Sequence, residues 1–187
     1  MKLIDRILQR WRISKAVKHL PDGSRVLDIG CFGGELFSMA GGRIRTGVGI
    51  DPLLPDSQDM EQFENIVFVK GFFPADMPTL TDRFDSIVAL AVFEHVPEDM
   101  QHDFVRVCFD LLNENGKVIL TVPSPFVDKI LAILAKLRLI DGMSMDEHHE
   151  LSIGGISDLF EKNGFLLLRH SKFQLGLNNL FVFQKGN

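Results

Sequence analysis

The stretch Val26–Ala40, VLDIGCFGGELFSMA, decides the fold. It begins as a β-branched and apolar run, Val26-Leu27-Asp28-Ile29, and breaks into the turn Gly30-Cys31-Phe32-Gly33-Gly34. It resumes with helical spacing at Leu36-Phe37 and Met39-Ala40. A strand that turns through glycines into a helix brings bare backbone and a helix N-terminus to one point, which is how α/β proteins build a nucleotide pocket. Gly30, Gly33 and Gly34 let a ligand approach the backbone more closely than any Cβ would permit, or simply supply a turn with positive φ.

Working outward, Thr46-Gly47-Val48-Gly49-Ile50-Asp51 reads as a short buried strand ending in an acid, and Asp51 lies 21 residues beyond Gly30. An acid at about that distance is where a ribose-hydroxyl ligand sits in this architecture, because a carboxylate accepts from two donors. The plainer alternative is a cap on the turn that begins at Pro52. Asp28 falls inside the first strand, where a carboxylate is costly unless paired, so backbone N–H groups or the cationic end of a ligand are expected beside it. Ile66–Val69 and Phe84–Ala91 read as the third and fourth strands, the latter nearly all apolar beyond Asp85, as a parallel strand covered on both faces should be. Helices fit Glu35–Ala40, Asp56–Phe63 and Pro97–Leu112, and Asn115-Gly116 turns into a strand over Lys117–Val122. A helix over Ser152–Asn163 closes at Gly164, and strands Phe165–Phe173 and Asn178–Gln184 are joined too closely for a parallel crossover, so they pair antiparallel. The alternation predicts a doubly wound, mostly parallel α/β sheet finished by an antiparallel hairpin.

The chain has 187 residues, the size of one domain over 1–187, with 45% hydrophobic and 24% charged residues. A net charge of −5 argues against nucleic acid as partner. Cys31 and Cys108, far apart, form neither a disulfide framework nor a metal spacing. With no secretory leader and no apolar run long enough to span a bilayer, the expected location is cytoplasmic. Tyrosine is absent, which excludes a catalytic tyrosine.

Two segments leave alternatives open. Residues 2–19, within an N-terminal region 1–22, have the period of an amphipathic helix, with Leu3, Ile4, Ile7, Leu8, Trp11, Ala16, Val17 and Leu20 apolar and Lys2, Arg6, Arg10, Arg12, Lys15 and Lys18 on a basic face. It either packs on the sheet or over the pocket with its charges in water, or docks a substrate or membrane surface. Phe126–Ile140, inside an irregular segment 123–150, reads as an apolar helix that covers the sheet, forms a lid over an apolar substrate, or contacts a membrane or a second copy. Monomer and homodimer are both compatible with these faces.

The chain resembles the class I S-adenosylmethionine (SAM)-dependent methyltransferases, in the broad group acting mostly on small molecules. The resemblance rests on VLDIGCFGG at 26–34, GVGIDP at 47–52, FDSIVALAVFEHVP at 84–97, LLNENGKVILTVPSP at 111–125 and EKNGF at 161–165, and it runs from Ser24 to Gln184. It implies a Rossmann-like seven-stranded sheet. It also implies that Asp28, Gly30, Cys31, Phe32, Gly33 and Gly34 hold the methionine part of SAM and Asp51 the ribose. Pro52 and Leu53 would then flank the adenine, with further contacts from Gly71, Phe72, Phe73 and Asp76 in segment 71–78. Ala91, Val92, Glu94 and His95 would face the methyl group, and S-adenosylhomocysteine (SAH) would be the product. No metal is implied. Two departures stand out. The middle glycine of the family's loop falls at Phe32, where either Gly33 relocates the tight turn or the ring narrows the pocket and weakens SAM binding. Phe72-Phe73 stand where many members carry an acid for the adenine amino group, leaving that task to Asp76 or a backbone carbonyl, or the rings to pack against the adenine.

Methyl transfer from a sulfonium is an in-line displacement whose donor carries its own leaving group, so alignment and exclusion of water dominate and a base is needed only for a protonated acceptor. Candidate bases are Glu94, His95, His148 and His149. The fourth strand lacks the Asn/Asp-Pro-Pro-aromatic motif of nucleic-acid and glutamine amino-methylating enzymes. With the acidic net charge this favours O- or C-methylation of a small acceptor, with an apolar one among the options. The competing readings are a catalytically silent SAM-binding protein, motivated by Phe32 and Phe72, and a nicotinamide-dependent oxidoreductase, disfavoured because Gly30-x-x-Gly33-Gly34 is not G-x-G-x-x-G.

Overall fold

The computed structural model describes residues 3–55, 63–124 and 153–186. The expected helices over 126–140 and most of 56–63, the 123–150 segment beyond Ser124, and His148 and His149 lie outside these residues. Helix α1 (Leu3–Val17) precedes β1 (Ser24–Ile29), α2 (Glu35–Ala40), β2 (Ile44–Asp51), β3 (Ile66–Lys70) and β4 (Phe84–Leu90). Then come α3 (Glu98–Leu111), β5 (Leu112–Pro123), α4 (Ile153–Lys162), β6 (Phe165–Phe173) and β7 (Asn178–Lys185). The seven strands form one sheet in the order β3-β2-β1-β4-β5-β7-β6. All pairings are parallel except those of β7, which lies antiparallel between β5 and β6. The seven-stranded, doubly wound α/β sheet with its C-terminal hairpin is therefore present as the sequence implies.

Each face of the sheet carries its own core. One packs Phe104, Val105 and Cys108 of α3 and Ile156 and Phe160 of α4 against the strands, and the other packs Ile13 and Ala16 of α1 and Leu36, Phe37 and Ala40 of α2. Phenylalanine fills the first face, where Phe160 stacks on Phe183 at 4.2 Å and meets Phe93 and Phe165. Rings of this size remove large apolar areas from water and fix the approach of α4 to β7.

Strand β5 starts five residues earlier than the sequence suggests. Asn115 does adopt a left-handed conformation (φ 61°), but the turn is absorbed as a bulge: Phe84 pairs with Leu112, and pairing resumes at Ser86–Lys117. Asp85 holds the bulge by accepting from the Arg25 N–H at 2.9 Å and from Asn113 Nδ2 at 2.8 Å.

Candidate functional site

The parallel strands β1–β4 all end at one edge, and the strand order reverses between β1 and β4, where open α/β sheets bind ligands. The loop after β1 is held in three alternate left-handed residues: Gly30 (φ 78°), Phe32 (φ 39°) and Gly34 (φ 77°). Gly33 is not among them, so the tight turn has not moved to Gly33 and Phe32 itself adopts the conformation in which glycine is easiest. A Cβ at Gly30 would sit 2.4 Å from Val92 Cγ2, which closes the loop against the segment after β4. That segment begins with another left-handed residue, Ala91 (φ 58°), whose N–H donates to Thr121 of β5. Non-glycine residues held in this region mark places where the surrounding structure imposes the backbone.

Asp51, at the end of β2, is buried and accepts from the Phe32 N–H at 2.9 Å with one oxygen and from the Leu53 N–H at 2.7 Å with the other. It therefore caps the turn at Pro52 and, in addition, ties the glycine loop to β2. Each carboxylate oxygen keeps a second acceptor site for a ligand hydroxyl. Around it stand three exposed apolar side chains, Phe32, Leu53 and Phe72. Phe73 does not join them, because it packs edge-on against Phe104 at 4.9 Å in the core. Asp76 accepts from the Phe72 N–H at 2.7 Å, and a Cβ on Gly71 would collide with it, so Asp76 shapes the turn after β3.

A cleft of about 60 Å³ lies between this loop and α1, lined by Gln9, Arg12, Ile13, Asp28, Gly30, Cys31, Glu35, Leu36 and Leu90. Its electrostatics are unusual. Burial pushes the Asp28 carboxyl well above the usual range, and the nearby Glu35 and Asp51 push it further. Burial, with Asp28 and Asp51, likewise raises the Cys31 thiol, which stays protonated. Glu94, which does not line the cleft but feels the charge of its Arg12, is raised to about 7 by burial against that charge, and burial lowers Arg12. Among the described residues, neither Glu94 Oε2 nor Arg12 Nε, both buried, has a hydrogen-bond partner. His95, next to Glu94 in the 3-10 turn Phe93–His95, is exposed.

Sequence reasoning missed Gln9, Arg12 and Glu35 as cleft residues. The helical period puts Arg12 on the basic face; the structure turns it inward. The signal was available in the helical period: Gln9, Arg12, Ile13 and Ala16 share one side of α1, at i, i+3, i+4 and i+7.

A family model described as a methyltransferase domain matches residues 2–170. The ubiquinone biosynthesis O-methyltransferase of Glaesserella parasuis serovar 5 (strain SH0165) is 42% identical over 103 residues, covering 50% of this chain and 43% of that protein. The protein of the same name from Pseudomonas fluorescens (strain Pf0-1) is 31% identical over 101 residues, covering 51% and 43%. The chain thus matches less than half the length of these relatives. Among solved structures, magnesium protoporphyrin IX methyltransferase from Synechocystis PCC 6803 with bound SAH superimposes with a TM-score of 0.71 at 17% identity, covering 100% of this chain and 89% of that one. The 1,6-didemethyltoxoflavin-N1-methyltransferase of Burkholderia thailandensis, also with SAH, gives 0.73 at 16% identity, covering 95% and 78%. At these identities the two structures speak to the fold.

Proposed function

Because the chain belongs to the class I SAM-dependent methyltransferases, by the methyltransferase-domain model that spans most of it, we propose that it transfers a methyl group from SAM to a hydroxyl of a small, apolar acceptor. Membership disposes of the oxidoreductase reading. O-methylation is favoured by the relatives named ubiquinone biosynthesis O-methyltransferase.

The observation that carries the reading is the charge arrangement of the cleft. Glu35 and Asp51 place two carboxylates around the glycine loop, Asp28 adds an acid whose ionisation a nearby cation would favour, and Arg12 enters from α1. The amino-acid end of SAM presents an ammonium, a sulfonium and one carboxylate, so acids near the loop and a single guanidinium opposite are complementary to it. Asp51 would accept from the ribose hydroxyls with its remaining lone pairs, and Leu53 and Phe72 offer apolar surface to the adenine. The bound group supplies the methyl and its own leaving group. The chain's residues orient it: the Phe32 N–H is fixed by Asp51, Val92 blocks the space behind Gly30, and α1 covers the cleft from water. A hydroxyl acceptor must lose a proton, and Glu94 and His95, following β4, are the described residues assigned to take it.

Titration calorimetry with SAM and SAH tests the binding step, and radiolabelled methyl transfer to a panel of phenols and catechols tests the reaction. Asp51→Ala should weaken SAM by about tenfold or more, since hydrogen bonds to a charged group contribute about 1.5–3 kcal/mol. Unchanged affinity would remove Asp51 from the site. The silent alternative, motivated by Phe32 at the middle glycine position, predicts binding by calorimetry with no methyl transfer to any acceptor.

A further inference from the structure

Helix α1 is turned the wrong way round for a solvated surface helix. Its inner side carries Gln9 and Arg12 into the cleft beside the packed Ile13 and Ala16, while Ile7 and Trp11, one turn apart, stay 53% and 42% exposed on the outer side. Arg6, Arg10 and Lys18, all exposed, flank that apolar strip. A second element extends it. Gln174 Nε2 donates to the Leu8 carbonyl at 2.8 Å and so pins the β6–β7 turn to α1. That turn holds Gln174 (φ 50°) and Leu175 (φ 58°) in left-handed backbone, and Leu175 projects 96% exposed. The left-handed pair is what a tight hairpin turn demands, and the Gly176 N–H donating to the Phe173 carbonyl at 3.1 Å closes it; the apolar side chain that leucine adds at its tip stays in water.

We propose that this face, Ile7 and Trp11 of α1 with Leu175 of the turn, docks the chain on an anionic lipid bilayer surface. Charge selects that occupant. Residues 1–20 hold six of the chain's 20 basic residues and one of its 25 acids; even with Arg12 turned into the cleft, the molecule is basic at this helix and strongly acidic elsewhere. A helix with Trp and aliphatic side chains between arginines and lysines lies in the headgroup region, its apolar residues in the acyl boundary and its cations among the phosphates. A second copy of the chain is a poor occupant, because a two-fold interface would set the arginines of one helix against those of the other. The inference is independent of the methyl-transfer reading and stands or falls without SAM.

Trp11 is the sole tryptophan, so its emission reports on this face alone. The experiment titrates the full chain with vesicles of phosphatidylcholine mixed with phosphatidylglycerol, and with phosphatidylcholine alone, following emission and co-sedimentation. The expected result is a blue shift and sedimentation with the anionic vesicles only, weakened by high salt. Arg6→Glu with Arg10→Glu should weaken binding at least about thirtyfold, and Trp11→Ala or Leu175→Ser should also reduce sedimentation. Lys162→Glu, on α4 at the opposite face, should not. Equal binding to neutral vesicles, or none to anionic ones, overturns the proposal. So does Trp11 emission that depends on protein concentration but not on lipid, which would assign the face to self-association. Unchanged thermal unfolding of the exposed-residue variants separates lost docking from lost folding.

Discussion

Phe32 has a φ of 39° at the one position of the glycine loop where its side chain is a liability. A left-handed conformation costs a non-glycine residue about 1–2 kcal/mol, while glycine costs roughly 0.5–1 kcal/mol through its greater freedom in the unfolded chain. The two nearly cancel, so Phe32→Gly should change stability by no more than about 1 kcal/mol. Because the ring is 48% exposed and the Phe32 N–H is what Asp51 holds, SAM affinity should change less than about threefold in calorimetry. A gain much above that would mean the ring obstructs the pocket and would favour the silent reading for the wild-type chain. Arg12 is tested differently. Arg12→Met keeps the stem and removes the guanidinium, so SAM should bind about 10- to 100-fold more weakly, the loss expected of a charge-assisted pair. Methylthioadenosine, which lacks the amino-acid end, should bind the variant and the wild type alike. Equal losses for both ligands would make Arg12 merely structural.

At the scale of elements, α1 is where sequence and structure part company. The period announced an amphipathic helix, and a helix is there, but the apolar residues counted as one face are divided between two. Ala16 and Leu20 reach the core, joined by Ile13, which that face did not include, and Ile7 and Trp11 do not. Periodicity cannot resolve this, because a stripe that is wide enough for both a core and a surface contact fits either rotation of the helix. Thermal unfolding distinguishes them. Ile13→Ala opens a cavity beside α2 and should cost about 2–4 kcal/mol, lowering Tm by roughly 5–12 °C for a domain of this size. Ile7→Ala should leave Tm within about two degrees, since surface substitutions usually stay within about 0.5 kcal/mol. The reverse ranking would rotate the helix and take Arg12 out of the cleft. The strands were more legible than the helix. Apolar runs covered on both faces mark β1 and β4, and Gly164 with the short 174–177 connection fixes the final hairpin. The early start of β5 was hidden because Asn115-Gly116 is a turn signal whether the turn ends a strand or is absorbed as a bulge.

Across the whole molecule, the alternation of strands and helices, the antiparallel finish and the place of the glycine loop followed from the sequence, because they are set by hydrophobic runs and turn residues that act locally. The electrostatics of the cleft did not, because they depend on α1, the loop after β1 and the segment after β4 meeting far from their positions in the chain. Their consequence is a pH dependence of stability. Glu94 is raised from 4.5 to about 7, burial being the main cause. The native state therefore keeps the proton between those values while the unfolded chain has released it, so the native state binds more protons there. Stability must fall as pH rises through that window, and the penalty is complete above about 7. One such group contributes a slope of at most about 1.4 kcal/mol per pH unit. Glu94→Gln removes the ionisation while keeping shape, so chemical denaturation from acid to neutral pH should give a flatter profile than the wild type, with the variant gaining relative stability toward pH 7. Because a cationic ligand stabilises the ionised carboxylate, SAH, which lacks the sulfonium charge, should raise Tm less than SAM above the window, and that difference should shrink in the Gln variant. Parallel profiles for variant and wild type would mean that Arg12 already holds Glu94 ionised across the window, and would make the pair a fixed ion pair at the cleft.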